Sequence, residues 1–164
     1  MHCSIQEPRK VPSSKWYSHK TNGPALTYQV ILSVREQRVL SVIGPYPAGE
    51  SDLRVLRKED GILNKIPPGK RIIADRGYNG ERDKIATPND HDTLVTSHFK
   101  DRARARQETF NARLKVFNVL DRPFRHLSKS NLEEDYSLNE HKRVFESVSI
   151  MVQYDLQYRG LFDI

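Results

Sequence analysis

A chain of 164 residues with 37% hydrophobic and 29% charged side chains is long enough for one packed domain, here read as a single domain over residues 1–164, and too apolar to stay disordered. A net charge of +6 and a pI near 9.5 favour a polyanionic partner. One cysteine, Cys3, excludes an internal disulfide or a cysteine zinc cluster, Pro8 in a polar N-terminus excludes a secretory signal, and no run approaches the roughly 18 apolar residues of a membrane span.

Met1–Ile5 is expected to be part of a first strand, followed by a loop from Gln6 to Lys15 with Pro8, Pro12 and the basic residues Arg9, Lys10 and Lys15. Trp16, Tyr17 and Tyr28, near His19 and Lys20, suit either stacking on bases and bracing phosphates or plugging one end of a sheet. Leu26, Tyr28, Val30, Leu32 and Val34 alternate with Thr27, Gln29, Ile31, Ser33 and Arg35, a strand period, and Val39–Ile43 is the return strand of a hairpin turned at Glu36-Gln37. Ser51 caps a helix with Leu53, Leu56, Leu63 and Ile66 on one face, weakened by Gly61 and ended by Pro67.

Arg71-Ile72-Ile73-Ala74 reads as a strand buried on both faces that runs into Asp75 and the Gly77 turn. A carboxylate at the carboxyl end of such a strand is placed to meet a ligand. Asp75 can equally open a turn and bond its own backbone two residues on. Glu81–Ala86 then reads as a helical turn, Thr87–Asp92 as a polar loop and Thr93–Thr96 as a further strand.

His98–Leu120 carries Ala103, Gln107, Phe110, Leu114 and Phe117 at helical spacing, with Glu108 at the border of that stripe on the side of Arg104, Asn111 and Lys115. A Glu108–Arg104 pair would contribute only about 0.2–0.5 kcal/mol, because the cation precedes the acid. His98 to Lys115 holds six Lys or Arg against two acids, whereas Asn131 to the end holds three against seven. The Glu108 helix therefore suits phosphates, and the C-terminal segment suits solvent or a protein. Asp121–Asn131, with Pro123, reads as a loop, and Ser137 and Glu140 have capping-box spacing before a last helix faced by Phe145, Val148, Val152 and Leu156.

Ala74-Asp75-Arg76-Gly77-Tyr78 resembles the second-Asp motif of the DDE transposase endonucleases, specifically the Harbinger-like group. Arg106-Gln107-Glu108-Thr109-Phe110 with Arg113-Leu114-Lys115 resembles their Glu motif. Ile5-Gln6-Glu7-Pro8 with Trp16 to Lys20 is similar to the segment after the family's first Asp, and Gly44-Pro45 through Ser51-Asp52-Leu53 to its strand-to-helix junction. The resemblance covers residues 2 to about 152.

It implies an α/β fold, a ribonuclease-H-like mixed sheet flanked by helices with its first strand shortened, and metal-dependent cleavage and strand transfer of DNA. Asp75 and Glu108 would be the catalytic and metal-holding carboxylates, the cofactor Mg²⁺ or Mn²⁺, and Lys15, Lys20, Arg102, Arg104, Arg106 and Lys115 the DNA-binding residues. The family's first Asp falls before Met1, so the resemblance reads the chain as truncated there, with impaired cleavage. The alternative is a catalytically inactive, transposase-derived module that binds DNA or protein. Either places the chain in the nucleus of a eukaryote or the cytoplasm otherwise, as a homodimer or beside a separate DNA-binding protein. Asp52 and Glu7 are candidate substitute carboxylates, although the helix dipole already accounts for an acid at a helix start. The six histidines show no zinc-binding spacing, and no nucleophile-elbow, phosphate-loop or dinucleotide-binding fingerprint is present.

Overall fold

Two hydrophobic clusters meet at a twisted hairpin, which carries one on each face. The computed structural model describes residues 1–6, 13–125 and 134–163. The hairpin is β3 (Gly23–Leu32) and β4 (Val39–Pro47), antiparallel; β1 (His2–Ser4) and β2 (Tyr17–Ser18) both add antiparallel to β3, with His2 opposite Thr27 and Tyr17 opposite Pro24. A four-residue helix, α1 (Ser13–Trp16), precedes β2. The alternation expected along β3 is observed. Leu26, Tyr28, Val30 and Leu32 pack into one cluster and Ile31 into the other.

The first cluster lies between this sheet and three helices, α3 (Leu94–Lys115), α4 (Asn118–Asp121) and α5 (Glu134–Tyr158). Phe110 and Leu114 of α3 and Phe145, Val148, Val152 and Leu156 of α5 are buried in it, the positions that helical spacing assigns to the core. Trp16 and Tyr28 are also buried there, and Tyr28 stacks on Phe145 with ring centroids 3.7 Å apart. Of the three aromatics considered for base stacking, only Tyr17 is exposed, and its hydroxyl donates to Asn22.

The second cluster joins β4 to α2 (Asp52–Leu56), a 3-10 turn over Ile62–Lys65, and a separate two-stranded parallel ladder of β5 (Ile72–Ile73) and β6 (Ile85–Ala86). Ser51 caps α2 as expected, accepting from the Arg54 amide at 3.3 Å. The single helix expected through Ile66 is instead split at Gly61, which packs so closely that an added Cβ would lie 2.3 Å from the Leu56 carbonyl oxygen.

Four further local expectations change. β5 is half-buried, not covered on both faces, and among the described residues it pairs with β6 alone. Residues 81–84 do form the expected turn, closed by the Lys84 amide on the Glu81 carbonyl, but Ile85–Ala86 continue as strand. Thr93–Thr96 is not a strand: the Thr93 hydroxyl accepts from the Thr96 amide at 3.2 Å and starts α3, while Leu94 and Val95 are 91% and 80% exposed and have no sheet to join. The β3–β4 connection is longer than Glu36-Gln37, since the strands end at Leu32 and resume at Val39. Within it Gln37 exchanges hydrogen bonds with Leu161, its Nε2 donating to the carbonyl at 2.8 Å and its Oε1 accepting from the amide at 2.6 Å. α5 starts at Glu134, ahead of Ser137, whose side chain lies outside the described residues, as do Glu7, Arg9, Lys10 and residues 126–131 of the expected loops. An antiparallel sheet and a parallel ladder with flanking helices agree with the expected α/β fold class. No helix among the described residues is long and apolar enough to cross a membrane.

Candidate carboxylate site and basic helix

Asp75 follows β5 after one residue, Ala74, and caps a 3-10 turn over Arg76–Tyr78, its Oδ1 accepting from the Gly77 amide at 2.9 Å. The turn reading is therefore observed, and the bonded Oδ1 keeps a second lone pair. Its surroundings hold a second acid. A Cβ built on Gly77 would lie 3.1 Å from Asp75 Oδ1 and 3.6 Å from Asp52 Oδ2, so the two carboxylates face the same small space over the glycine. Asp52 opens α2, and its side chain carries no ion pair among the described residues. The same acids act on Tyr78: burial first, then the charges of Asp52 and Asp75, push its hydroxyl pKa upward, so the phenol stays protonated.

The cleft outside this turn has a volume of about 680 Å³ and is lined by Asp75, Arg76, Asp90, Asp92, Asp101 and Arg104, among others. Asp92 is not free there. Its carboxylate accepts the Lys100 ammonium through both oxygens at 2.7 Å, and that ion pair, then the Asn89 amide, holds its pKa below the usual carboxylate value. Lys100 also donates to the Thr87 carbonyl, which ties the 87–92 loop to the first turns of α3.

Glu108 is exposed on α3. It shares a helix stripe with Asp101 and Arg104, which line the cleft, and lies one turn beyond Arg104, about 6 Å along the axis. The cleft lining itself stops at Arg104. Arg104 pairs with Asp101 at 3.5 Å, so the Arg104–Glu108 pair considered from the sequence does not form. Glu108 and Asp52 both act electrostatically on the Met1 amino group, as does Lys20. Among the described residues no group of three or more His, Cys, Asp or Glu converges closely enough to hold a metal ion.

The basic residues divide. Lys15, Lys20, Arg104 and Lys115 are exposed, Lys15 lying 5.0 Å above the Trp16 ring centre. Arg102 is half-buried, donates to the Asp163 carbonyl and stacks on Phe162. Arg106 departs from the phosphate-facing role: it is 2% exposed, and its guanidinium donates to the carbonyls of Phe162 at 2.8 Å and Glu36 at 2.6 Å. Position 106 falls on the buried side of α3, four residues before Phe110, so the arginine joins the hairpin to the C-terminal tail. Arg106→Ala is expected to cost about 2–3 kcal/mol, on the scale of charge-assisted bonds whose buried acceptors lose their donor, with urea denaturation as the check.

Asp52 at the start of α2 and Asp75 at the cap of the Arg76–Tyr78 3-10 turn thus lie in a mixed α/β fold that also carries a long helix of net positive charge. The family model of the DDE superfamily endonucleases matches residues 1–153, and the chain belongs to that family. Endonucleases of this superfamily act on DNA and generally use divalent metals. Comparison with curated proteins and with solved structures gives no match.

The donor set fits such a metal. Asp52 and Asp75 offer hard carboxylate oxygens to one space, and Mg²⁺ is commonly held by one or two carboxylates with water and substrate phosphate completing the shell, without a closed protein cage. Neither the Asp motif nor the Glu motif pointed to Asp52. The available signal was an acid immediately after a helix cap, which the helix dipole explains equally well.

Proposed function

We propose that this domain is a metal-dependent DNA endonuclease of the Harbinger-like type, cutting and joining phosphodiesters with Mg²⁺ or Mn²⁺. The observation that carries the reading is the placement of Asp52 and Asp75 over Gly77, in a chain that belongs to the endonuclease family. Asp75 and Asp52 would hold the ion through oxygen, with Glu108, on the same stripe as Arg104, facing the substrate side. When bound, the metal supplies Lewis acidity and an activated water or hydroxyl. The chain's own contribution is positioning: the Gly77 amide fixes Asp75, and Tyr78, on which both acids act, keeps its proton. Arg104, Lys15, Lys20 and Lys115 bind backbone phosphates, which sets register without reading sequence. Arg102 contributes only if the C-terminal tail moves aside.

The alternative, a catalytically silent module that binds DNA or protein, is favoured by the lack of a three-ligand cluster among the described residues. Both readings give salt-sensitive DNA binding, in the nucleus of a eukaryote or the cytoplasm otherwise, with a second copy or a separate protein supplying target recognition. They part on chemistry. Supercoiled plasmid incubated with the protein and Mn²⁺ should be nicked, and the nicking should vanish in Asp75→Asn; intact plasmid with a folded, DNA-bound protein would reject the nuclease reading.

A further inference from the structure

We infer that the outer face of α5 is a docking surface for a second copy of this chain, the two α5 helices crossing at the row Ile150, Tyr154 and Tyr158. This does not depend on the nuclease reading. Three observations carry it.

The first is that α5 is apolar on two sides. Phe145, Val148, Val152 and Leu156 are buried in the cluster shared with the sheet and α3, which accounts for one face. Ile150, Met151, Tyr154 and Tyr158 recur at helical spacing on the other side and stand in solvent, Tyr154 63% and Tyr158 85% exposed, Ile150 and Met151 about half exposed. A helix apolar all round is ordinarily a buried one. Single exposed apolar residues need no explanation, but four that adjoin over about two turns form a patch of the kind that marks an interaction site.

The second is charge. From Asn131 onward, seven acids stand against three Lys or Arg, so this part of the chain repels the polyanion that the basic α3 attracts, and a protein surface is the occupant it suits. The charges beside the patch are paired on their own helix, Glu146 lying 4.0 Å from Lys142 and Asp155 2.6 Å from Arg159. Two copies of this face can therefore meet without the cost of opposed like charges.

The third is size and shape. At about 200 Å² per large aromatic side chain, the exposed parts of the two tyrosines offer about 300 Å², and Ile150 and Met151 bring each copy to roughly 400–500 Å². With the exposed Ser147 and Gln157 as a polar rim, two copies bury about 1,000 Å² in total, where specific interfaces begin. Positions 150, 154 and 158 also form one i, i+4 ridge, and such a ridge packs beside an identical one at about −50°. A two-fold axis at Tyr154 sets Ile150 of each copy against Tyr158 of the other, the reciprocal contact of an isologous dimer. α2, which carries Asp52, packs on the opposite face of the hairpin, so this pairing leaves the carboxylate cleft of each copy open.

The test is sedimentation velocity of the full chain over a range of concentration. A reversible monomer–dimer equilibrium with a Kd of about 1–100 µM is expected, the weak end for an interface of this size. Ile150→Glu with Tyr154→Glu should raise the Kd at least about 100-fold, because it sets like charges against each other at the axis. Both side chains lie outside the core, so the urea midpoint should stay at the wild-type value. A control pair, Leu94→Gln with Val95→Gln, removes exposed apolar surface from α3 and should leave the dimer intact. A monomer at every concentration, a dimer that survives in the α5 variant, or an equal loss in the control would overturn the docking surface. Growth beyond the dimer would overturn the two-fold pairing.

Cross-linking locates the axis. Cys3 is buried, so an introduced surface cysteine reacts alone. The two copies of residue 157 would lie about 9 Å apart along the helices, three residues to either side of the axis. Gln157→Cys should therefore link to its own copy through a bismaleimide reaching about 15 Å, a span that covers this offset and the 8–10 Å between packed helices. Lys70→Cys, exposed in the turn before β5, should not. No link at position 157, or equal linking at both positions, would contradict the assignment.

Discussion

Asp75→Asn is expected to lower Mn²⁺-dependent plasmid nicking by at least about 100-fold while leaving duplex affinity in metal-free buffer within about twofold. Loss of a group that merely orients a metal ligand commonly costs 10–100-fold, so loss of a ligand's charge should cost no less. The substitution keeps the side chain's size and an oxygen that can accept from the Gly77 amide, so the 3-10 turn over Arg76–Tyr78 should survive. Asp52→Asn should behave alike if both acids hold one ion. A weak effect at Asp52 beside a large one at Asp75 would separate the two acids, and Glu108 would then be the second ligand. Circular dichroism of each variant checks that the comparison is between folded proteins.

Phe110→Ala is expected to destabilise the domain by about 3–5 kcal/mol, the usual cost of truncating a fully buried aromatic side chain. Phe110 is 0% exposed in the cluster that joins α3 to the sheet and α5. Its loss leaves a cavity beneath the helix that carries Arg104, Glu108 and Lys115, so the site should loosen with the core. Urea denaturation should show the midpoint falling with little change in slope, since the surface exposed on unfolding is nearly the same. A loss under about 1 kcal/mol would mean that the α3 packing described here is wrong.

The parts of this fold legible from sequence are those in which local chemistry and burial agree. The stripe Phe145, Val148, Val152 and Leu156 gave α5, and the alternation from Leu26 to Leu32 gave the central strand, because each pattern matches a buried face. Ser51 gave a helix start for the same reason: its side chain does what its position suggests. Thr93 illustrates the opposite. Thr-Leu-Val-Thr has strand composition, but a threonine hydroxyl can also cap a helix, and nothing in the sequence says that Leu94 and Val95 will stay in solvent. Gly61 signalled weakness in a helix, yet only the Leu56 carbonyl pressed against it shows that the helix must break.

The site divides in the same way. Asp75 was legible because an acid at a strand end before a glycine turn has few roles, and the structure gives it both a turn bond and a neighbouring acid. The Asp52–Asp75 approach depends on how α2 and the 3-10 turn pack, a contact between residues 23 apart that no local pattern encodes. Arg106 was misread because a basic run along a helix does not reveal which arginine turns inward. Only the carbonyls of Glu36 and Phe162, brought in from the hairpin and the tail, make its burial affordable.

The most direct test is the anomalous signal of manganese in crystals of the protein soaked with Mn²⁺. An ion bound by carboxylate oxygens of Asp52 and Asp75 over Gly77, and lost in Asp75→Asn, is the expected result. A well-ordered site with no ion there, at a manganese concentration that supports nicking, would contradict it.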